Sequence, residues 1–196
     1  MKDTPQLIQS AIEGTAAWLL ANDYAIQNES EFCNVFFHHL ILAFTEAGRS
    51  PSSIRTEIKF RQRLGYKTRI ATSIDFGIRR DPQSEDFFDA LVEAKSWIRP
   101  THIKGAFAPN SSSSKRNQCI ADAKRLLQLN QEGYCERSAL VIYEQSSAHL
   151  RRLVPVGLAA AAIDADALWI NIGRASLGRR KEHVGLLWLQ PVPSAA

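Results

Sequence analysis

Hydrophobic and polar positions along the chain follow two periods, and the switches between them set out an order of elements. Leu7, Ile8, Ala11, Ile12, Ala16, Leu19 and Leu20 recur at helical spacing. They predict an amphipathic helix over 5–22 that packs and carries no chemistry. Phe32, Phe36, Leu40 and Phe44 recur every four residues, and Phe37 and Ile41 widen the stripe. The stretch 28–47 therefore reads as a buried second helix, with Gly48 as its stop. The period then drops to two. Ile54, Thr56, Ile58 and Phe60 share one face of a strand over 54–63, and Arg55, Glu57, Lys59 and Arg61 share the other. Ile70, Thr72, Ile74, Phe76 and Ile78 form a second alternating strand, with Asp75 on the face away from the isoleucines. The stretch 80–84 has turn chemistry, because Pro82 fixes φ while Asp81 and Ser84 offer local hydrogen bonds. The chain returns through a strand from Phe88 to Trp97, in which Glu93 and Lys95 are two apart and share a face.

A long connection over 99–114 follows, with Pro100, Gly105, Pro109 and a run of serines. Loops of that length in compact domains are often functional or disordered, and His102 and Lys104 are candidates to cover a cleft. A third helix is expected over 115–131. Cys119, Ile120, Ala123, Leu126 and Leu127 face inward, and Lys115, Gln118, Asp122 and Arg125 fall at helical spacing on another face. The nearly unbroken apolar run from Ser138 to Glu144 suits a central strand buried on both sides. An alanine-rich helix after Pro155, then strands over 167–172 and 184–190, complete the order α, α, β, β, β, α, β, α, β, β.

Composition narrows the class. A chain of 196 residues suits a single domain over 1–196 with a sizeable core. No apolar run is long enough to span a membrane, and the first residues do not lead into a signal-peptide core. Cys33, Cys119 and Cys135 are odd in number and scattered without metal-ligand spacing. They read as small core residues in a reducing, cytoplasmic compartment. The net charge of +4 suits a polyanionic partner better than a polycationic one. No internal repeat, P-loop, zinc-ligand spacing or Gly-x-Ser-x-Gly occurs, so NTP hydrolysis, zinc chemistry and esterase chemistry lack support.

The chemistry concentrates in the central hairpin. If its strands pair so that Asp75 lies near Glu93, two carboxylates and the Lys95 ammonium converge. Two bare carboxylates side by side repel, and one would normally stay protonated. A divalent cation removes the conflict, and carboxylate oxygens with water are what Mg²⁺ prefers. Such a cation lowers the pKa of a bound water and polarises a phosphoryl oxygen, while the lysine orients the water or offsets phosphate charge. That is a site for metal-assisted phosphodiester hydrolysis. The plainer account is a cross-strand ion pair on a solvated face.

Ser73-Ile74-Asp75 together with Val92-Glu93-Ala94-Lys95 resembles the PD-(D/E)xK nuclease superfamily, with Ile74 where the pattern's name has proline. The resemblance covers about 28–144. It implies an α/β fold with a mixed central sheet flanked by helices, restriction-endonuclease-like. It also implies that Asp75 and Glu93 hold Mg²⁺ (or Mn²⁺ in its place), with the Ala94 carbonyl as a third ligand, and that Lys95 assists the attacking water. Glu31 matches the acid that members carry on the helix before the sheet. Equally, Asn28-Glu29-Ser30-Glu31 has the shape of a capping box, with Glu31 reaching back. Gln118 matches a polar residue on the helix after the Glu-x-Lys strand, against the alternative of an exposed helical face. Glu57 is an auxiliary acid or a partner for its basic neighbours, and His38 and His39 read as structural. Arg61, Arg63, Lys67 and Arg69 in one loop, and Arg174, Arg179 and Arg180 in another, are phosphate contacts or simply solvated. The expected function is a metal-dependent nuclease, foremost a DNA endonuclease. Its partner would be nucleic acid, DNA before RNA, with no membrane and a homodimer left open. The alternatives are a non-catalytic nucleic-acid-binding or assembly module of the same fold, and a plain structural domain.

Overall fold

The computed structural model of the chain describes residues 2–60, 72–83, 87–98, 112–145, 149–172 and 182–191. Its elements are α1 (Thr4–Ala21), α2 (Glu29–Glu46), β1 (Ile54–Phe60), β2 (Thr72–Ile78), β3 (Phe88–Trp97), α3 (Ser112–Gln131), β4 (Cys135–Gln145), α4 (His149–Ala160), β5 (Ile163–Asn171) and β6 (Glu182–Pro191), with a short 3₁₀ turn at Pro51–Ser53. The order of helices and strands is the one the periodicity predicts. The strands form one sheet in the order β1-β2-β3-β4-β6-β5. The β3–β4 pair is parallel and the other pairs are antiparallel, so the fold is α/β with a mixed six-stranded sheet.

Each face of the sheet is covered by a helix pair. Leu7, Ile12 and Leu19 of α1 and Phe32, Phe36, Leu40 and Phe44 of α2 close on Val92, Val141 and Val184. On the other face Cys119, Ala123 and Leu126 of α3 and Leu150, Val154 and Leu158 of α4 close on Leu91, Leu140 and Leu187. The helices begin on local signals. Asp3 and Gln6 cap α1 reciprocally, and Asn28 caps α2 by accepting the Glu31 N–H at 2.8 Å. Gly48, at φ 71, follows the end of α2, a conformation that costs glycine little. β4 lies between β3 and β6, and it is buried from Ser138 to Gln145, as its apolar run predicts. Among the described residues no helix is long and apolar enough to cross a membrane.

Two features depart from the sequence expectation. First, α4 starts at His149, and Pro155 lies inside it rather than at its start. Leu150, Val154 and Leu158 stand four apart and are fully buried, and the Glu144 carboxylate accepts the Arg151 N–H at 3.0 Å in the first turn. Burying three such side chains contributes about 1.5–3 kcal/mol each. That outweighs the roughly 3 kcal/mol that an interior proline costs. Second, the isoleucine face of the hairpin does not stay on one side. Ile54, Phe76 and Ile78 enter the core under α1 and α2, whereas Ile58, Phe60 and Ile74 face that under α3 and α4. The swap falls between the pairs Thr56↔Phe76 and Ile58↔Ile74, at Glu57 and Asp75, for which no ladder pairing with a neighbouring strand is present among the described residues. Glu57 sits at φ 49, in the left-handed region. Alternation holds only while every residue is extended, so one residue there resets which side its successors take.

Gly77, just past the swap, has no room for a side chain. A Cβ would lie 2.2 Å from Ile58 Cδ1 and 2.6 Å from the buried Phe88 ring. Gly77→Ala should therefore cost about 1–3 kcal/mol, the scale for overpacking a core. The check is a urea unfolding curve. A midpoint equal to that of the unaltered protein would mean that β1, β2 and β3 do not pack as described.

Candidate functional site

The site forms where β2 parts from β3. Their pairing runs from Phe76↔Val92 to Ile78↔Ala90 and does not continue toward Asp75. Beyond it, the N–H groups of Ala94 and Ser96, two apart, are left without a strand partner on that side. Each takes a carboxylate instead. Asp75 Oδ2 accepts the Ala94 N–H at 2.8 Å, and Glu29 Oε2 accepts the Ser96 N–H at 3.1 Å. Glu29 stands in the first turn of α2, so one acid comes from the departing strand and the other from a helix end.

Negative charge gathered at one edge needs cations. Lys95 Nζ lies 3.5 Å from Glu29 Oε1, 3.4 Å from Asp122 Oδ2 and 3.6 Å from Glu93 Oε2, and donates to the Ala94 carbonyl at 3.1 Å. Lys115 pairs with Glu29 Oε2 at 3.2 Å. Glu93, only 2% exposed, has its other oxygen, Oε1, on the Arg125 guanidinium, which also meets Asp122 Oδ1 at 3.0 Å. Lys115, Asp122 and Arg125 come from one stripe of α3 and Glu93 and Lys95 from one face of β3.

The electrostatics follow from this crowding. Burial pulls the Lys95 ammonium down, but the carboxylates of Glu29, Asp122 and Asp75 more than offset it, and its pKa ends above the ordinary lysine value. Lys95 is thus a fixed cation, not a base. Burial raises the Asp122 carboxyl, and Lys95 only partly counters it. Burial lowers the Arg125 guanidinium, against the pull of Asp75. Cys33, one turn along α2 from Glu29, and Cys119 are pushed up to about 12 chiefly by burial, so neither thiol is reactive at ordinary pH.

Glu93 and Lys95 share a face and lie 3.6 Å apart, and Asp75 stands beside them on the Ala94 N–H, close enough for its charge to act on Lys95. Glu31 does not join them. Its carboxylate accepts from the Tyr24 hydroxyl and the Gln27 N–H, completing the cap of α2, and Glu29 is the acid of that helix that reaches the strand. Gln118 is exposed on its helix, and Asp122 and Arg125 are the residues of that stripe that enter the network. Glu57 is exposed, and among the described residues no hydrogen bond or ion pair links it to the cluster. His38 is exposed, and His39 packs near Trp18, with ring centroids 6.5 Å apart. Arg61, Arg63, Lys67, Arg69, His102, Lys104, Arg174, Arg179 and Arg180 lie outside the described residues.

The expected cation fits the donor chemistry but not the arrangement. Hard carboxylate oxygens are present, yet those of Glu93 are on Arg125 and Lys95, and the Ala94 carbonyl is on Lys95. Among the described residues no group of three or more His, Cys, Asp or Glu side chains is placed to hold a metal ion. A separate concavity of about 630 Å³ lies at the opposite end of β3. There Arg80 pairs with Asp89 at 3.3 Å and with Glu136 at 2.9 Å. Compared with protein-family models, curated proteins and solved structures, the chain matches none.

The lysine makes a test with a definite sign. Because its folded-state pKa is raised, the part of the Lys95 contribution set by the lysine's own titration is complete below the ordinary lysine value and is lost as pH rises through the raised one. In Lys95→Met the surrounding acids face one another without it. The stability deficit should be largest at neutral pH, up to about 3–5 kcal/mol as for breaking a buried pair. It should shrink toward about pH 4, where carboxylates protonate. Urea unfolding at both pH values measures it, and equal deficits would show that Lys95 does not serve the acids.

Proposed function

We propose that this chain is a nuclease that hydrolyses phosphodiester bonds, with DNA as the foremost substrate, and that its fold is restriction-endonuclease-like. The observation that supports it is the meeting of Asp75, Glu93 and Lys95 at the parting of β2 and β3, beside an acid from the preceding helix. In this proposal Glu29 takes the auxiliary role that the sequence suggests for Glu31. Lys95, held as an ammonium by the carboxylates around it, offers fixed positive charge to a scissile phosphate and to the charge that develops on it. The carboxylates keep Lys95 charged and aimed. Lys115, on the rim at the first turns of α3, adds charge for the substrate's backbone. A divalent cation, Mg²⁺ or Mn²⁺, belongs to the proposal as cofactor. In the structure the Glu93 oxygens are on Arg125 and Lys95.

A second possibility has its own support. A Glu93 closed by an arginine is what a non-catalytic nucleic-acid-binding or assembly module would tolerate. Cleavage separates the two. Plasmid, linear and single-stranded DNA and RNA are incubated with the protein in Mg²⁺, Mn²⁺ or EDTA. Cutting is expected with either cation and not with EDTA, and Asp75→Asn should lower it by about 10²-fold, the scale for misplacing a catalytic group. Binding without cutting in either cation would point to the module. Cutting by Asp75→Asn at the unaltered rate would place any activity elsewhere.

Binding itself should weaken steeply with salt, since phosphate contacts release condensed counterions. Neutralising Arg174, Arg179 and Arg180 together should flatten that dependence by up to about 0.9 in log–log slope for each lost contact on duplex DNA. Fluorescence anisotropy across a salt series reads the slope, and an unchanged slope would remove those arginines from the interface.

A further inference from the structure

The concavity at the far end of β3 carries positive charge that the chain does not answer. It encloses about 630 Å³ where the start of α1, the chain after α2, the turn after β2 and the first residues of β3 and β4 meet. Its three acids are used within the chain. The Asp3 carboxylate caps α1 by accepting the Gln6 N–H at 2.9 Å. Asp89 accepts the Thr4 hydroxyl at 2.9 Å and pairs with Arg80 at 3.3 Å, and Glu136 takes Arg80 at 2.9 Å. The remaining cations are held differently. Arg49 donates from Nη1 to the Thr4 hydroxyl and from Nη2 to the Arg79 carbonyl, each at 3.0 Å, and its guanidinium carbon stands 4.8 Å from the centre of the Phe44 ring. All three contacts are to neutral groups, and they use two of the five N–H groups a guanidinium carries. Lys2 donates to the Ser10 hydroxyl at 2.9 Å. Among the described residues neither Lys2 nor Arg49 has a carboxylate at ion-pair distance, and Arg137 has only Glu136, at 4.0 Å. The backbone that delivers Arg49 is fixed as well. Gly48 turns the chain at φ 71, and the Arg49 N–H returns to the Phe44 carbonyl at 2.8 Å. A second observation comes from Ser53. It lines the same cavity and is 2% exposed, yet its hydroxyl has no hydrogen-bond partner among the described residues. A polar group that deep is ordinarily paired, and a ligand oxygen in the cavity would accept from it.

We propose that this cavity binds a phosphate monoester, its phosphate held by Arg49, Ser53 and Arg137, with Lys2 adding charge. These donors come from the end of α2, the turn before β1 and the start of β4, so they approach from separate segments. That suits the several oxygens of a phosphate better than the flat pair of a carboxylate. The unanswered cations suit an anion that carries close to two charges at neutral pH. The cavity falls within the span of small-molecule sites, about 300–1,000 Å³, and Pro5 and Pro82 add apolar wall. It has room for the group that the phosphate esterifies. The inference does not depend on the nuclease proposal. Asp89 and Lys95 are six residues apart on β3, about 20 Å along an extended strand, so the two sites are separate.

The test uses the full chain in EDTA, so that no cleavage enters the result. Ribose 5-phosphate is titrated calorimetrically, with ribose as the control without phosphate and a 5′-phosphorylated trinucleotide as the same chemistry on a chain end. At least one ester should bind more tightly than about 1 mM, and ribose should not. The tighter ester identifies the source of the phosphate, free or chain-end. Ser53→Ala removes a hydroxyl without a partner in the chain, so its thermal unfolding should stay in place while affinity for the ester falls. Arg137→Met, at a side chain 52% exposed, should lower affinity about tenfold or more, the scale for losing a hydrogen bond to a charged group. Lys115→Met, in the other site, should leave it unchanged. The proposal is overturned if neither ester binds, or if ribose binds as well as its phosphate. It is equally overturned if Lys115→Met weakens binding while Ser53→Ala and Arg137→Met do not, which would assign the phosphate to the site at Lys95.

Discussion

Two backbone N–H groups on β3 govern this part of the structure. A buried donor left without a partner costs roughly 1–3 kcal/mol, so a strand cannot lose its neighbour midway unless something else takes the ladder bonds. β2 pairs with β3 only from Phe76 onward, and over the stretch before it the carboxylates of Asp75 and Glu29 take the N–H groups of Ala94 and Ser96. Everything charged nearby follows from that substitution. Anions replace carbonyls at the strand's edge, and Lys95, Lys115 and Arg125 are drawn in to balance them. The reset of alternation at Glu57 belongs to the same event, since it lies between the register pairs that flank Asp75.

The two cores hold these groups in place from opposite sides. Phe76, the last residue of β2 to pair with β3, meets the edge of Phe36 at 5.3 Å and stacks near Phe37 at 6.1 Å. Those contacts fix α2 against the strand, about two turns from Glu29. On the other face Cys119, Ala123 and Leu126 seat α3 on the sheet, and the polar stripe beside them brings Asp122 and Arg125 over Glu93 and Lys95. The acids arrive from α2, the sheet and α3, and of the compensating cations Lys95 comes from β3 and Lys115 and Arg125 from α3.

Much of this was legible in the sequence because period and parity are local. The order of elements, the buried central strand, and the shared face of Glu93 and Lys95 need only spacing. Asp75 comes near them from the neighbouring strand, but it takes the Ala94 N–H with its side chain, where the sequence reading had the two strands still paired. What was not legible depended on competition for partners. Glu29 and Glu31 look alike by spacing, and the cap decides between them: Glu31 is used by Gln27 and Tyr24, which leaves Glu29 to reach β3. The stripe of Lys115, Gln118, Asp122 and Arg125 was visible, but not which members would face acids. The swap of hairpin faces had no signal at all, since a glutamate in the left-handed region is rare and carries no pattern.

Glu93 ties stability to reactivity. A carboxylate this buried is tolerated only with a cation beside it, and the fold meets that demand from its own chain, through Arg125 and Lys95. A divalent ion would meet the same demand. The two answers would differ in charge, one unit against two, and in chemistry, because only the ion could activate water or polarise a phosphoryl oxygen. Lys95 can serve either state, since it faces acids from β3, α2 and α3 together and stays charged whichever partner Glu93 has. Arg125 cannot, because its place at Glu93 is the place in question. In the structure that carboxylate is answered from within the chain, by Arg125 and Lys95.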